Sequence, residues 1–236
     1  MINRLHAILH RPERGWDPVT QDHAVRYAEE QWRQDTSSMV ARLENRIGGF
    51  REKRVLDLGG GPGQFSVAFA LRGAEVTWHD ISRRYREFAE EKANQAKVKI
   101  DFSLGYLEDA KKFLDTPFDL VFCRICWRYC LNDRKFARLI FSLVASGGAG
   151  YVDADTLAGP KSTGLRRAQV FVYSRCGWKF GHPPPVPGRV IALFQKYPFD
   201  VFEPDNSSGK NDRIFFQKKK IFPPSLFGEP NAQNRV

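Results

Sequence analysis

Gly59, Gly61 and Gly63 stand at alternate positions, with Asp57 just ahead of them and Asp80 beyond. Together these residues can hold a nucleoside. Glycines without side chains let the backbone of a turn, Gly60 included, come close to a ligand. The helix opening at Gln64 aims its first N–H groups the same way. Asp80 lies about 20 residues past the turn, where a ribose-binding acid belongs, and its oxygens can accept hydrogen bonds from both ribose hydroxyls. A strand-terminal Asp can instead cap a helix, here one starting near Ser82. Candidates for proton transfer lie further on, at Asp153, Asp155 and His182. A carboxylate with an ordinary pKa of about 4 is a weak base unless buried, whereas a histidine titrates near neutrality.

The spacing separates two cofactor classes. A dinucleotide fingerprint has glycines at its first, third and sixth positions, and the sixth position from Gly59 is Gln64. Val55-Leu-Asp-Leu-Gly-Gly-Gly-Pro-Gly63 instead resembles the first motif of the class I S-adenosylmethionine-dependent methyltransferases. The resemblance implies S-adenosylmethionine as cofactor, held by Asp57, Gly59, Gly60, Gly61, Gly63 and Asp80. It also implies an adenine contact after the third strand. The family often places an acid and a small residue there, and this chain departs from that with Gly105-Tyr106-Leu107. Tyr106 can stack on adenine or pack in the core, and the Leu107 N–H can meet a ring nitrogen. Family members often hold the cofactor's amino group with carbonyls after the fourth strand, which falls at Arg124. Tyr27 or Trp32, on an N-terminal helix, can reach the methionine end or the acceptor.

Methyl transfer to oxygen requires two aligned reactants and often removal of a proton from the acceptor. Cys123-Arg-Ile-Cys-Trp-Arg-Tyr129 occupies the family's motif beside the methyl group. It contains no Asn-Pro-Pro-Tyr or Asp-Pro-Pro-Tyr, which argues against methylation of exocyclic amines on adenine bases. Trp127, Arg128 and Tyr129 offer rings and cations to an acceptor, although Trp127 equally suits a core. The stretch 157–187 falls where many small-molecule members build an acceptor lid, and no acid occurs between Thr156 and Phe199. Arg166, Arg167, Arg175 and Lys179 there, with Phe171, Tyr173, Trp178 and Phe180, suit an anionic acceptor carrying an apolar or ring portion. The expected activity is methyl transfer to a small anionic acceptor, at oxygen. RNA methylation and a non-catalytic partner protein that only binds the cofactor are the rival readings.

A site of this kind needs a sheet to position it. Val55, Leu56 and Leu58 are apolar on both faces of a strand, as in a parallel sheet covered by helices. Strands over 54–58, 74–80, 97–104, 118–125 and 149–155 alternate with helices over 64–72, 82–96, 107–115 and 132–145. Such alternation means a parallel sheet with right-handed crossovers. A helix over 188–197 and an antiparallel pair at 199–202 and 213–218 follow. With the resemblance, which covers about residues 50–219, the expected class is α/β. It is a Rossmann-like sheet of seven strands, mainly parallel with an antiparallel last strand, helices on both faces and an N-terminal helical arm. Residues 1–49 read as a mobile arm and helical cap ending at Gly48-Gly49, 50–219 as the catalytic domain and 220–236 as a disordered tail.

Composition sets outer limits. The 236 residues suit one domain with appendages, and a net charge of +10 favours anionic partners. No apolar run is long enough to span a bilayer and no signal-type segment opens the chain, so a soluble cytoplasmic protein is expected. Cys123, Cys126 and Cys130 lie too close together for a disulfide framework. With Cys123 inside an apolar strand they read as small hydrophobes rather than metal ligands.

Overall fold

The computed structural model describes residues 8–114, 117–157, 164–176 and 182–221. Helices α1 (Gln21–Trp32) and α2 (Ser37–Ile47) precede the alternating part. Then follow β1 (Arg54–Leu58), α3 (Gln64–Ala70), β2 (Glu75–Asp80) and α4 (Arg83–Gln95). Next come β3 (Ile100–Leu104), α5 (Ala110–Phe113), β4 (Phe118–Arg124), α6 (Asp133–Leu143) and β5 (Val144–Asp155). Helices α7 (Gly164–Cys176) and α8 (Arg189–Phe194) lead to β6 (Phe199–Asp205) and β7 (Asn211–Lys218). The described strands form one sheet in the order β3-β2-β1-β4-β5-β7-β6. Strands β1 to β5 pair in parallel, while β7 enters antiparallel between β5 and β6.

Helices cover both faces of this sheet because each face is apolar. Val40, Leu43, Phe69, Trp78, Ala89 and Phe122 pack on the side of α2, α3 and α4. Trp127, Phe136, Ile140, Phe194 and Phe216 pack on the other. Each buried valine, leucine, isoleucine or phenylalanine among them contributes roughly 1.5–3 kcal/mol. The stop read at Gly48-Gly49 is a left-handed C-cap, with Gly48 at φ 76° and its N–H on the Glu44 carbonyl.

Some boundaries move. The third strand begins at Ile100 rather than 97, because Lys97 turns the chain at φ 55°. The fifth begins at Val144, well before residue 149, and shifts register against β4 between Phe118 and Leu120. The helix expected over 107–115 divides into a 3-10 turn at Leu107–Asp109 and α5. The tail residues 222–236 lie outside the described residues. No helix among the described residues is long and apolar enough to cross a membrane.

The largest departure concerns the N-terminal arm, expected to be mobile. Residues 8–19 dock instead against the N-terminus of α4 and the loop after β3. The cause is one acid that periodicity does not reveal. Asp17 accepts hydrogen bonds from the Ser82 hydroxyl at 3.0 Å, the Arg84 N–H at 3.0 Å and the Val19 N–H at 2.9 Å. It caps the N-terminus of α4 from a distance in sequence. Arg83 reaches the Pro12 carbonyl at 2.9 Å, and the Tyr106 hydroxyl donates to the His10 carbonyl at 2.8 Å. Replacing Asp17 by alanine is expected to cost about 1–2 kcal/mol, as loss of a helix cap does, and to release the arm. Thermal denaturation and faster proteolytic removal of residues 8–19 measure the two effects.

Candidate active site

The glycine turn after β1 is packed on its inner side and open on its outer side. A Cβ at Gly59 would lie 2.7 Å from the Cys126 side chain, and one at Gly60 would lie 2.3 Å from the Trp78 ring. At Gly63 it would meet the Ala89 Cβ at 2.5 Å, and the backbone there is left-handed at φ 83°. Gly61 differs, because a Cβ there would touch nothing within 4 Å. The turn is therefore a cradle whose empty side lies at Gly61. Trp78 supports it from below by donating from Nε1 to the Gly61 carbonyl at 2.9 Å.

The N–H groups of the turn's glycines are already engaged within the protein. Gly59 and Gly60 donate to the His79 carbonyl at 2.8 and 3.3 Å, and Gly63 donates to the Gly60 carbonyl at 3.1 Å. Gly61 donates to Oδ2 of Asp80 at 3.0 Å. The turn thus offers shape and room rather than donors. Asp80 sits at its rim, 9% exposed, with Oδ1 accepting the Ser82 N–H at 2.9 Å. Burial raises its pKa, opposed by the N–H groups of Ser82 and Gly61. Each carboxylate oxygen keeps a further lone pair, which is what a ribose diol needs. Ser82 holds the N-cap position of α4, its hydroxyl accepting from Tyr85 N at 3.3 Å beside the contacts from Asp17, so Asp80 is not the N-cap.

Asp57 lies beneath the turn, 3% exposed, and accepts the Ser66 hydroxyl at 2.6 Å. Burial pushes its carboxyl up to about 7, against the pull of the Ser66 hydrogen bond. A carboxyl raised in the folded state stabilises the fold below its unfolded pKa of about 4, and that contribution is lost as pH rises through about 7. Asp57→Asn keeps the shape and removes the buried charge. The variant's melting temperature relative to wild type is expected to rise between pH 4 and pH 8. A pH-independent offset in paired thermal scans would contradict this.

Helix α1 closes over the turn. The Trp32 indole donates to the Pro62 carbonyl at 2.9 Å, and Gln64 Nε2 donates to Gln31 Oε1 at 3.2 Å. Tyr27 packs on Tyr85 with ring centroids 5.5 Å apart. Burial raises its pKa, and Tyr129, Arg124 and Asp80 all act on it electrostatically. Tyr27 therefore joins the two ends of the candidate site. Tyr106 is less open than expected. Its ring stacks on Trp16 at 6.3 Å with 13° between planes, so the docked arm takes a face that adenine stacking would use. Leu107 is buried beside Gly59. His79, which sequence reasoning passed over, fixes this loop. Its ring nitrogens face Ser103 Oγ at 3.0 Å and the Tyr106 carbonyl at 3.1 Å, and burial lowers its pKa.

Past β4 the backbone is strained. Ile125 has φ 57°, a costly value for a β-branched residue, while its N–H donates to the Asp153 carbonyl at 2.7 Å. This turn sends Cys126 under the glycine loop, where Sγ donates to the Leu58 carbonyl at 3.3 Å. The Cys123 sulfur and burial push the Cys126 thiol up, so it stays protonated. The Arg124 guanidinium lies over the Phe65 ring at 5.3 Å, with Nε buried and lacking a hydrogen bond.

The acceptor-side candidates separate. Trp127 is 1% exposed between Phe136 and Phe194, so it is a core residue and not a contact surface. Asp153 accepts from Asn211 Nδ2 at 2.6 Å and lies between Arg124 at 3.8 Å and Arg213 at 3.7 Å. Asp155 is paired with Arg128. Both carboxylates are thus engaged by cations, and Asp153 by Asn211 as well. His182 is exposed, and its ring lies 5.1 Å from that of Tyr129. Arg167 is exposed on α7. The side chains of Arg166, Arg175 and Tyr173, and the segments 158–163 and 177–181, lie outside the described residues.

Residues 55–148 match the family model described as Methyltransferase domain. The chain is 31% identical over 96 residues to the ubiquinone biosynthesis O-methyltransferase of Chromobacterium violaceum, which covers 41% of each protein. It is 28% identical over 117 residues to the tRNA 5-carboxymethoxyuridine methyltransferase of Escherichia coli, covering 49% of this chain and 43% of that protein. The match thus spans about half the length of these curated relatives, or less. Among solved structures, a proposed S-adenosyl-L-methionine-dependent methyltransferase of Methanococcus maripaludis superposes with a TM-score of 0.60 at 17% identity. That likeness covers 87% of this chain and 95% of the other. An O-methyltransferase family protein of Burkholderia thailandensis gives 0.57 at 17% identity, covering 84% and 60%. Sheet order, glycine turn and family match agree: residues 55–148 match a methyltransferase domain, and the fold is shared with methyltransferases of known structure.

Proposed function

We propose that this protein transfers a methyl group from S-adenosylmethionine to an oxygen of a small anionic acceptor. The observation that carries this reading is Asp80, buried at the rim of the glycine cradle and facing its open side at Gly61. When bound, S-adenosylmethionine would supply an electrophilic sulfonium methyl, which passes to the acceptor oxygen as the carbon–sulfur bond breaks and S-adenosylhomocysteine leaves. Gly59 to Gly63 give the donor room, Asp80 holds its ribose, and Asp57 keeps the turn in place through Ser66. Tyr27 and α1 exclude water from above. Arg124 and Tyr129 border the methyl-bearing end.

His182 is the remaining candidate to take the proton of the acceptor hydroxyl, because Asp153 and Asp155 are engaged by arginines. A general base of this kind contributes roughly 10²–10⁴-fold. With an acceptor identified by labelled methyl transfer, His182→Ala is expected to lower kcat about a hundredfold while leaving donor affinity unchanged. Full activity of the variant would remove His182 from the mechanism. The name of the Chromobacterium relative supports oxygen as the atom methylated.

RNA is the second reading, supported by the net charge of +10 and by the tRNA methyltransferase among the relatives. An RNA acceptor would bind with an affinity that falls steeply with salt, as phosphate contacts release counterions. A small acceptor would show a shallow dependence.

A further inference from the structure

Two buried polar groups of opposite sense lie where α1 and the end of β4 meet the glycine turn. Gln64, which directly follows the turn, is 8% exposed. Its Nε2 donates to Gln31 Oε1 at 3.2 Å, while its own Oε1 is buried without a hydrogen bond among the described residues. Arg124 closes β4 with its guanidinium over the Phe65 ring at 5.3 Å, a cation–π contact that fixes its place. Its Nε is buried and also lacks a hydrogen bond among the described residues, and the acid nearest it is Asp153 at 3.8 Å. That carboxylate is shared with Asn211 Nδ2 at 2.6 Å and Arg213 at 3.7 Å, so the charge on Arg124 is only partly answered. Buried polar groups are nearly always paired. An acceptor and a cation left over together call for a ligand that carries both complements.

Their neighbours place both groups at the donor site. Phe65 follows Gln64 in the chain, so acceptor and cation flank consecutive residues. Gln31 lies one helical turn from Tyr27 on the same face of α1, and Trp32 beside it donates to the Pro62 carbonyl of the turn at 2.9 Å. Arg124 acts electrostatically on Tyr27 above the turn and on Asp57 beneath it. Its side chain is 25% exposed although Nε is buried, which leaves its outer part within reach of a ligand. We propose that these groups form a seat for the α-amino-acid end of the donor, in which the Arg124 guanidinium holds the carboxylate and Gln64 Oε1, braced by Gln31, accepts from the ammonium. A zwitterion with both charges on one carbon matches a guanidinium beside an amide oxygen, and both contacts are charge-assisted. The inference rests on the methyltransferase reading and deepens it: Asp80 selects the ribose, and Arg124 with Gln64 selects the amino-acid half.

The test titrates the whole chain calorimetrically with S-adenosylhomocysteine, its carboxamide, its deaminated analogue, and methylthioadenosine, which has no amino-acid end. Wild type is expected to prefer S-adenosylhomocysteine over the carboxamide and over the deaminated analogue by at least about tenfold each. Arg124→Met removes the preference over the carboxamide and keeps the other; Gln64→Leu does the reverse. Arg124→Lys, which keeps a charge but not the fork, retains part of the carboxamide preference. Methylthioadenosine binding stays within about twofold in every variant, a result that a merely structural role would not give. A preference that persists in its own variant, or methylthioadenosine weakened as much as S-adenosylhomocysteine, would overturn the seat. If no ligand of the series binds folded wild type, the donor reading itself falls; if they bind and the preferences do not follow the variants, the seat falls alone.

Discussion

Asp80→Ala is expected to weaken S-adenosylmethionine binding by at least about a hundredfold. The carboxylate already takes one N–H on each oxygen, from Gly61 and from Ser82, and has a lone pair left on each for the ribose diol. Hydrogen bonds to a charged group are worth roughly 1.5–3 kcal/mol each, so two lost ribose contacts alone exceed a factor of a hundred. The alanine variant also leaves the Gly61 and Ser82 N–H groups without their acceptor, which loosens the turn that shapes the donor site. Asp80→Asn separates these effects. Its amide retains the volume, and burial that raises the wild-type pKa makes the neutral side chain easy to accommodate, so folding should survive while affinity still falls. Calorimetric titration of both variants measures this, and wild-type affinity in Asp80→Ala would remove the ribose assignment.

Gly63→Ala is expected to damage the fold strongly, and Gly61→Ala to be mild for the fold but damaging for binding. At Gly63 the new Cβ would meet the Ala89 Cβ at 2.5 Å and its Cα at 3.0 Å, with φ at 83°. Left-handed backbone costs a non-glycine residue about 1–2 kcal/mol, and overpacking adds about 1–3. A chain of this size loses about 2–4 °C of melting temperature per kcal/mol, so a fall of about 10 °C is expected. At Gly61 the new methyl meets no protein atom within 4 Å and only the φ of 50° opposes it. It would instead occupy donor space. Circular-dichroism melting paired with donor titration should show opposite rankings for the two variants. The same ranking in both measurements would mean that the open side of the turn is not the binding side.

What the sequence made legible was the part built from local chemistry. Alternating apolar strands and helices define the sheet, and glycines at alternate positions with Asp57 and Asp80 mark the turn, because backbone shape at such a turn depends on residue type. What stayed illegible depends on distant partners. Asp17 caps α4 from 65 residues away, and nothing in the composition of residues 8–19 announces it. Asp153 and Asp155 read as bases until Arg124, Arg128, Arg213 and Asn211 close on them. Trp127 reads equally well as surface or core, and burial against Phe136 and Phe194 decides it. The left-handed Ile125 has no sequence signal, since a β-branched residue is the last type expected there.

On the proposed function, the open glycine cradle at Gly61, rimmed by Asp80, is the donor site for S-adenosylmethionine. Calorimetric titration of the folded wild-type chain with S-adenosylmethionine tests it most directly. One-to-one saturable binding in the micromolar range is the predicted result. Absence of saturable binding by a chain that still melts cooperatively would contradict the account.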